Sequence, residues 1–245
     1  MRIGVISDIH GNLAALKACV KKLKDEGAES FIQCGDIVGY GPDAEACVRQ
    51  VLRLPLLASV MGNHDAVLAF PSISNLFNFD AKIALEQSLP ELSHPSISYL
   101  SSLPPSVQGK GFTVVHGTPL DPIREYFHNT TQFLGYYRLW QEQILFVGHT
   151  HLPFYIKGNS RTCHMCVPQK EKHTIRLSDK YRYVINPGAV GKPRDHNPNA
   201  ACGLWDTKAK TFTFLRVWYD VVATQANMRE KEFPEFLIES LAHGL

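Results

Sequence analysis

A chain of 245 residues, 44% hydrophobic and 20% charged, is long enough to bury a core and too apolar to remain disordered. Its formal charge of +2, with His neutral, excludes a protein that coats nucleic acid through bulk charge but leaves room for a local basic pocket. No apolar stretch approaches the length that spans a bilayer, and the run Ile3–Ile6 after Met1 is too short for a signal segment. With six scattered cysteines read as reduced thiols, a soluble cytoplasmic protein is expected.

Met1–Ile6 reads as a buried strand, short, apolar and ended by polar residues. Asn12–Glu26 reads as a helix: Leu13, Leu16, Val20 and Leu23 recur at helical spacing and Gly27 closes it. Ser30–Cys34 and Leu56–Met61 are further strands, separated by a helix over Asp43–Leu54 that Pro42 opens. This alternation predicts an α/β fold with a parallel central sheet. Ala66–Pro105 is less regular, with helices expected at Ala81–Leu89 and Pro95–Leu103, and is expected to shape the rim of a site. Phe112–Val115 and Ile144–Val147 are strand-like and flank a helix over Thr130–Trp140. Beyond His151 the pattern turns to strands at Phe154–Lys157, Arg161–Val167, His173–Leu177, Tyr181–Ile185, Cys202–Asp206 and Thr211–Trp218. These are expected to form an antiparallel half, closed by helices at Val221–Arg229 and Glu235–Ala242, so that residues 1–245 make one domain.

Five strand ends carry polar clusters: Ser7-Asp8-Ile9-His10, Cys34-Gly35-Asp36, Gly62-Asn63-His64-Asp65, His116-Gly117 and Gly148-His149-Thr150-His151. In open α/β sheets the crevice beyond the strand C-termini binds ligands. Burying several carboxylates side by side is unfavourable without cations. Asp8, His10, Asp36, Asn63, His116, His149 and His151 form a mixed nitrogen and oxygen donor set that suits Mn, Fe, Zn, Ni or Co better than Ca. Seven donors exceed the needs of one ion, whereas two ions sharing a carboxylate would use them all. A lone Asp-x-His or Gly-Asp means little; the ordered set carries the signal.

That ordered set resembles the signature of the calcineurin-like metallophosphoesterase superfamily. Asn186-Pro187-Gly188-Ala189-Val190 resembles the Asn-Pro-Gly-Ser block of its small bacterial and archaeal phosphodiesterase branch. The resemblance implies a two-sheet α/β sandwich with a dimetal site at the C-terminal ends of the strands. It implies one ion on Asp8, His10, Asp36 and His151, and a second on Asp36, Asn63, His116 and His149, with Asp36 bridging. His64 would stand near the leaving-group oxygen, and Asp65 would orient it. A hydroxide bridging the ions, Mn favoured, would attack phosphorus in line with the departing group. The expected partner is a small phosphate ester, nucleotides among the candidates, with no membrane and no strong nucleic-acid signal.

Weaker expectations attach to single residues. Arg194 follows a Gly-rich turn and is a candidate phosphate contact, against a surface salt bridge. Asn12 is a candidate for positioning phosphate, against a helix cap, which Asn favours. Cys163 and Cys166 form a C-x-x-C with His173 near, but without the second C-x-x-C of a zinc site; a β-hairpin with buried thiols is expected. Tyr126, Phe127, Tyr136, Tyr137 and Trp140 read as core aromatics, with pocket walls the alternative. The second block reads Gly35-Asp36-Ile37-Val38-Gly39-Tyr40-Gly41. Ser/Thr protein phosphatases and dinucleoside tetraphosphate hydrolases have a phosphate-holding Arg where Tyr40 stands here. A phosphodiesterase is therefore expected, with a phosphomonoesterase, protein phosphatase or dinucleoside polyphosphate hydrolase as alternatives. A non-catalytic protein-binding scaffold is the reading of a different class.

Overall fold

The computed structural model describes residues 1–245. Strands β1 (Arg2–Ile6), β2 (Ser30–Gln33) and β3 (Leu56–Ser59) alternate with helices α1 (Leu13–Asp25) and α2 (Ala44–Leu52). The rim holds a four-residue helix α3 (Asn63–Ala66), α4 (Phe79–Ser88) and α5 (His94–Ser102), with 3-10 turns at Pro71–Leu76 and Leu89–Glu91. Strands β4 (Ser106–Gly109) and β5 (Phe112–Val115), helix α6 (Thr130–Tyr136) and strand β6 (Ile144–Phe146) follow. The remaining elements are β7 (Phe154–Gly158), β8 (Cys163–Cys166), β9 (Lys172–Arg176), β10 (Arg182–Asn186), β11 (Ala200–Asp206), β12 (Thr211–Val217), α7 (Val221–Glu230) and α8 (Glu235–His243). Helix α3 and strand β4 have no counterpart in the sequence pattern: the first is one turn long, and the second is a half-exposed edge strand without an apolar run.

Two six-stranded mixed sheets stack, ordered β3-β2-β1-β11-β12-β9 and β4-β5-β6-β10-β7-β8. Strands β1, β2 and β3 are parallel, as the βαβ pattern requires, but β11 joins β1 antiparallel. The expected antiparallel half does not exist as a unit. Strands β7, β8 and β10 complete one sheet, whereas β9, β11 and β12 complete the other, and β10 runs parallel to β6. Burial explains the division. Ile3 and Val5 of β1 meet Val114, Phe146, Tyr183 and Phe212 between the sheets. Ile6, on the opposite face of the pleat, packs against Leu16, Val20 and Leu23 of α1. The outer face of the second sheet is covered by Phe133 and Trp140, and α7 and α8 close over Tyr40 and Ala84.

Strands β7 and β8 form the expected hairpin, but its thiols are only half-buried. Residues i and i+3 of a strand lie on opposite faces. Cys163 approaches the Thr130 carbonyl at the end of α6, while Cys166 lies beside Tyr155. They cannot chelate one ion. All six cysteines are free. No helix is long and apolar enough to cross a membrane.

Candidate metal centre

The loops that follow β1, β2, β5, β6 and β10 interlock through their backbones. Ile9 and His10 N–H donate to the Asp36 carbonyl at 2.8 and 3.0 Å, Gly191 N–H to the Asp8 carbonyl at 2.9 Å, and Gly148 N–H to the His116 carbonyl at 2.9 Å. The lock imposes strain. Asp8, His10, Asp36, His149 and His151 all take left-handed backbone, with φ of 51°, 46°, 57°, 67° and 60°. For residues with a Cβ this costs roughly 1–2 kcal/mol each. Such strain collects where side chains must be aimed. Two glycines permit the close approach. A Cβ on Gly62 would lie 2.1 Å from Asp36 Oδ1, and one on Gly39 would lie 2.6 Å from His64 Nδ1 and 2.8 Å from His10 Nδ1.

The side chains gather into two groups that could each hold an ion: Asp8, His10, Asp36 and His151, and Asp36, His116 and His149. Asp36 is common to both. Its Oδ2 lies 3.5 Å from His10 Nε2 and 3.3 Å from His116 Nε2. Asn63 Oδ1 joins the second group, 3.1 Å from His116 Nε2.

Hydrogen bonds decide where the imidazole lone pairs point. His10 Nδ1 faces the Val38 carbonyl at 3.1 Å, His151 Nδ1 the Lys192 carbonyl at 2.5 Å, His116 Nδ1 the Cys34 carbonyl at 2.8 Å and His149 Nε2 the Arg124 carbonyl at 3.0 Å. A carbonyl only accepts, so each of these nitrogens carries the proton. The opposite nitrogens then face one another as lone pairs: His10 Nε2 and His151 Nε2 at 3.0 Å, and His116 Nε2 and His149 Nδ1 at 3.1 Å. Paired lone pairs at that distance repel unless a cation lies between them. Asp8 Oδ2 is likewise buried and partnerless. The donor set therefore fits two divalent ions, with backbone carbonyls fixing each ring as outer-shell partners do.

Titration tells the same story. Burial pushes the Asp8 carboxyl up to about 6. Burial also acts to raise Asp36, and most strongly, but the charges of His116, His64 and His10 and the hydrogen bond from His116 together outweigh it and hold Asp36 far below the usual carboxylate range. Burial works against a charge on His116, yet the Asp36 carboxylate brings it up to about 9. Without a metal, a second proton on His116 Nε2 takes the place between Asp36 and His149 that a metal ion would otherwise fill. Burial lowers His149 to about 3 and holds His10 and His151 well below the ordinary histidine value, so these rings are neutral, as ligands must be.

His64 stands apart from both groups. Its ring packs against His10, Tyr40 and Phe77 at centroid distances of 4.7, 4.9 and 4.8 Å. Nδ1 is buried without a partner beside Gly39, which leaves Nε2 as the nitrogen facing the adjoining cavity of about 250 Å³. Asp65 does not orient this ring. Its Oδ1 accepts from Ile37 and Val38 N–H at 3.0 and 3.2 Å, and its Oδ2 from Gly62 N–H at 3.1 Å. Burial raises its carboxyl to about 7. Neighbouring residues in a helical turn point apart, and Asp65 is spent on bracing two ligand-bearing loops.

Asn12 is also turned away from the cavity. Its Oδ1 accepts from Ala15 N–H at 3.1 Å as the cap of α1, while Nδ2 donates to the Gly191 carbonyl at 3.0 Å and Tyr219 Oη at 3.2 Å. Asn12→Ala is expected to lower stability by about 1–3 kcal/mol, from a lost cap and unpaired buried partners. Denaturant titration measures the loss; an intact stability with a raised KM would instead return Asn12 to substrate contact.

Arg194 lines the cavity with Tyr40, Arg124 and Tyr126. Its Nη2 lies 3.4 Å from Tyr40 Oη, a distance at which the bond is weak. A guanidinium from the distant segment that follows Asn186-Pro187-Gly188 thus reaches the neighbourhood of Tyr40. Asn186 braces that segment, donating from Nδ2 to the Gly148 carbonyl at 2.7 Å and Thr150 Oγ1 at 3.0 Å. Among the five aromatics read as core, Phe127 and Trp140 are buried, but Tyr126 stacks on His149 at 3.8 Å. Tyr126 thus takes the pocket-wall alternative. The Arg124 carbonyl and Phe77 have no signal in the sequence pattern, because both lie in loops without periodicity.

A two-sheet sandwich whose strand ends converge on paired imidazole–carboxylate groups defines a metallophosphoesterase. The chain belongs to the calcineurin-like phosphoesterase superfamily, whose domain model matches residues 1–210. It is 34% identical to an uncharacterized protein of Methanocaldococcus jannaschii over 248 residues, 99% of this chain and 98% of that protein. The crystal structure of a metallophosphoesterase from Sphaerobacter thermophilus is similar with a TM-score of 0.87 and 36% identity, covering 100% of this chain and 99% of that one. A hypothetical protein of Pyrococcus horikoshii shares the fold with a TM-score of 0.78 at 22% identity, covering 100% and 98% of the two chains. The family uses a dimetal centre and acts on phosphoesters.

Proposed function

We propose that this protein is a two-metal phosphodiesterase in which residues 1–245 act as one unit. The observation that carries the reading is the pair of facing imidazole lone pairs on either side of Asp36. One ion would be held by Asp8, His10, Asp36 and His151, and the other by Asp36, Asn63, His116 and His149. Mixed imidazole, carboxylate and amide donors suit Mn, which we favour, or Fe, Zn, Ni or Co. When bound, two such ions supply a water acidic enough to attack phosphorus and countercharge for the phosphoryl oxygens.

The protein's own groups do the rest. Backbone carbonyls hold the imidazoles in the tautomer that leaves their lone pairs free. Arg194 offers a guanidinium to a non-bridging phosphoryl oxygen. Burial lowers His64 to about 4, so at neutral pH it presents an uncharged Nε2–H to the departing oxygen. That group stabilises the leaving alkoxide by a hydrogen bond. The diester preference rests on two unlike walls of the cavity. Ile73, Leu76 and Phe77 form an apolar side, and Arg124, Tyr126 and Arg194 a polar aromatic side, so each of two ester arms has a surface. Six free thiols fit the reducing cytoplasm.

The test is to strip the protein with chelator and add Mn, Ni, Co, Zn or Mg singly. Bis-p-nitrophenyl phosphate and p-nitrophenyl phosphate are the two substrates. Metal-restored hydrolysis is expected, fastest with Mn and greater for the diester. A monoester preference would replace the reading with a phosphomonoesterase. Two bound metals without hydrolysis of either would favour a scaffold.

A further inference from the structure

The loop from His116 to Asn129, between β5 and α6, folds back on itself at once. Gly117 N–H donates to the Pro122 carbonyl at 2.7 Å and Thr118 N–H to the Asp121 carbonyl at 3.0 Å. The chain then alternates as extended backbone does. Glu125 and Phe127 turn inward to Tyr136 of α6, whereas Arg124, Tyr126 and His128 are exposed.

Glu125 is a carboxylate whose partners are all neutral. Its Oε2 accepts from Thr118 Oγ1 at 2.5 Å, and its Oε1 from Tyr136 Oη at 2.7 Å and Gln132 Nε2 at 3.2 Å. Hydrogen bonds to an ionised acceptor are roughly twice as strong as neutral ones. The three donors come from the start of the loop and from the helix after it, so one side chain ties both ends together. Gln132 Nε2 also donates to the Tyr126 carbonyl at 2.8 Å.

The residues on either side of Glu125 both touch His149. The Arg124 carbonyl accepts from Nε2 at 3.0 Å, at the edge of the imidazole. The Tyr126 ring covers its face, with centroids 3.8 Å apart and planes 6° from parallel. The carbonyl fixes how the imidazole is turned, and the stack stops it from tilting. His149 has left-handed backbone, and such strain persists only where the surroundings over-determine it. The first ligand group draws nothing from this loop: His10 and His151 rest on the Val38 and Lys192 carbonyls.

We propose that Glu125 is a positioning residue for the second ion: by clamping its loop it holds the Arg124 carbonyl and the Tyr126 ring on His149, and so sets the affinity of the ion that His116 and His149 hold. This inference rests on the two-ion assignment but not on the reaction. The test is Mn titration of chelator-stripped protein, followed by calorimetry. The wild type is expected to bind two ions. Glu125→Ala is expected to weaken one of them roughly 10–100-fold, the range for a lost outer partner of a ligand. The other is expected to stay within about 2-fold, the scatter of independent sites. Tyr126→Ala is expected to weaken the same ion ~10-fold, and Tyr126→Phe, which keeps the stack, to retain wild-type affinity. Tyr126 is 38% exposed, so its replacement opens no core and stands in should Glu125→Ala fold poorly. A double-mutant cycle separates positioning from general loosening. Glu125→Ala is expected to cost as much in a His10→Ala background as in the wild type, but at most about 2-fold in a His149→Ala background, where nothing is left to position. Equal losses at both ions, unchanged affinity in both Glu125→Ala and Tyr126→Ala, or an undiminished loss in the His149→Ala background would overturn the proposal. Fewer than two ions in the wild type would overturn it together with the two-ion assignment. Two ions with a clamp-dependent affinity, but no ester hydrolysed, would keep the clamp and remove the phosphodiesterase reading.

Discussion

Asp36→Asn is expected to lower the bound metal from two ions to one or none and to take hydrolysis to background. Asp36 is the residue common to both ligand groups, and its Oδ2 lies within 3.5 Å of His10 Nε2 and His116 Nε2. The amide keeps the shape of the side chain and can still accept the His64 N–H bond that Oδ1 receives at 2.9 Å. It removes the negative charge. Two dications would then face each other across a neutral group, and the surrounding neutral imidazoles could not compensate. Stripping one partner from a buried charge pair costs about 3–5 kcal/mol, or roughly 10²–10⁴-fold in affinity. Elemental analysis of protein dialysed against a limiting metal concentration measures the stoichiometry. Two ions retained at wild-type affinity would sink the shared-ligand assignment.

His64→Ala is expected to keep both metals and lose roughly 10²–10⁴ in kcat for an ester with an alkoxide leaving group, the usual range for a positioned acid or donor. The ring belongs to neither ligand group, and the backbone N–H that anchors Asp36 Oδ1 survives the substitution. The loss is expected to be smaller for a p-nitrophenyl ester, whose leaving group departs as a stable anion and needs little help. Acidity sharpens the test. Burial holds His64 at about 4, below the ordinary histidine value, so the ring is neutral down to about that pH. The mutant-to-wild-type ratio is therefore expected to be the same at pH 6 and pH 8. A cationic acid titrating near its ordinary value would make the variant's deficit largest at low pH and shrink it as pH rises. Near-normal rates with both esters would remove His64 from the reaction.

Much of this site was legible in the linear chain. Asp8, His10, Asp36, Asn63, His116, His149 and His151 each close a short apolar run, and a strand that ends in donors aims them at the sheet's C-terminal edge. The same short-range logic located α1, α2 and the first three strands, because periodicity and capping act within one or two turns. The C-x-x-C hairpin also follows local rules, since the pleat alone separates Cys163 from Cys166.

Other assignments required the folded molecule. The C-terminal strands divide between two sheets because Tyr183 and Phe212 bury against partners far away in sequence, and no local pattern records which sheet a strand will join. Asp65 and Asn12 had the right residue types beside the right motifs, yet loops from elsewhere in the chain claimed their side chains. Tyr126 and Phe77 reach the cavity from loops and turns, where side-chain direction is set by what the chain packs against. Residue type and spacing determined which groups could do chemistry. Long-range packing, which fixes direction and partners, determined which of them face the site.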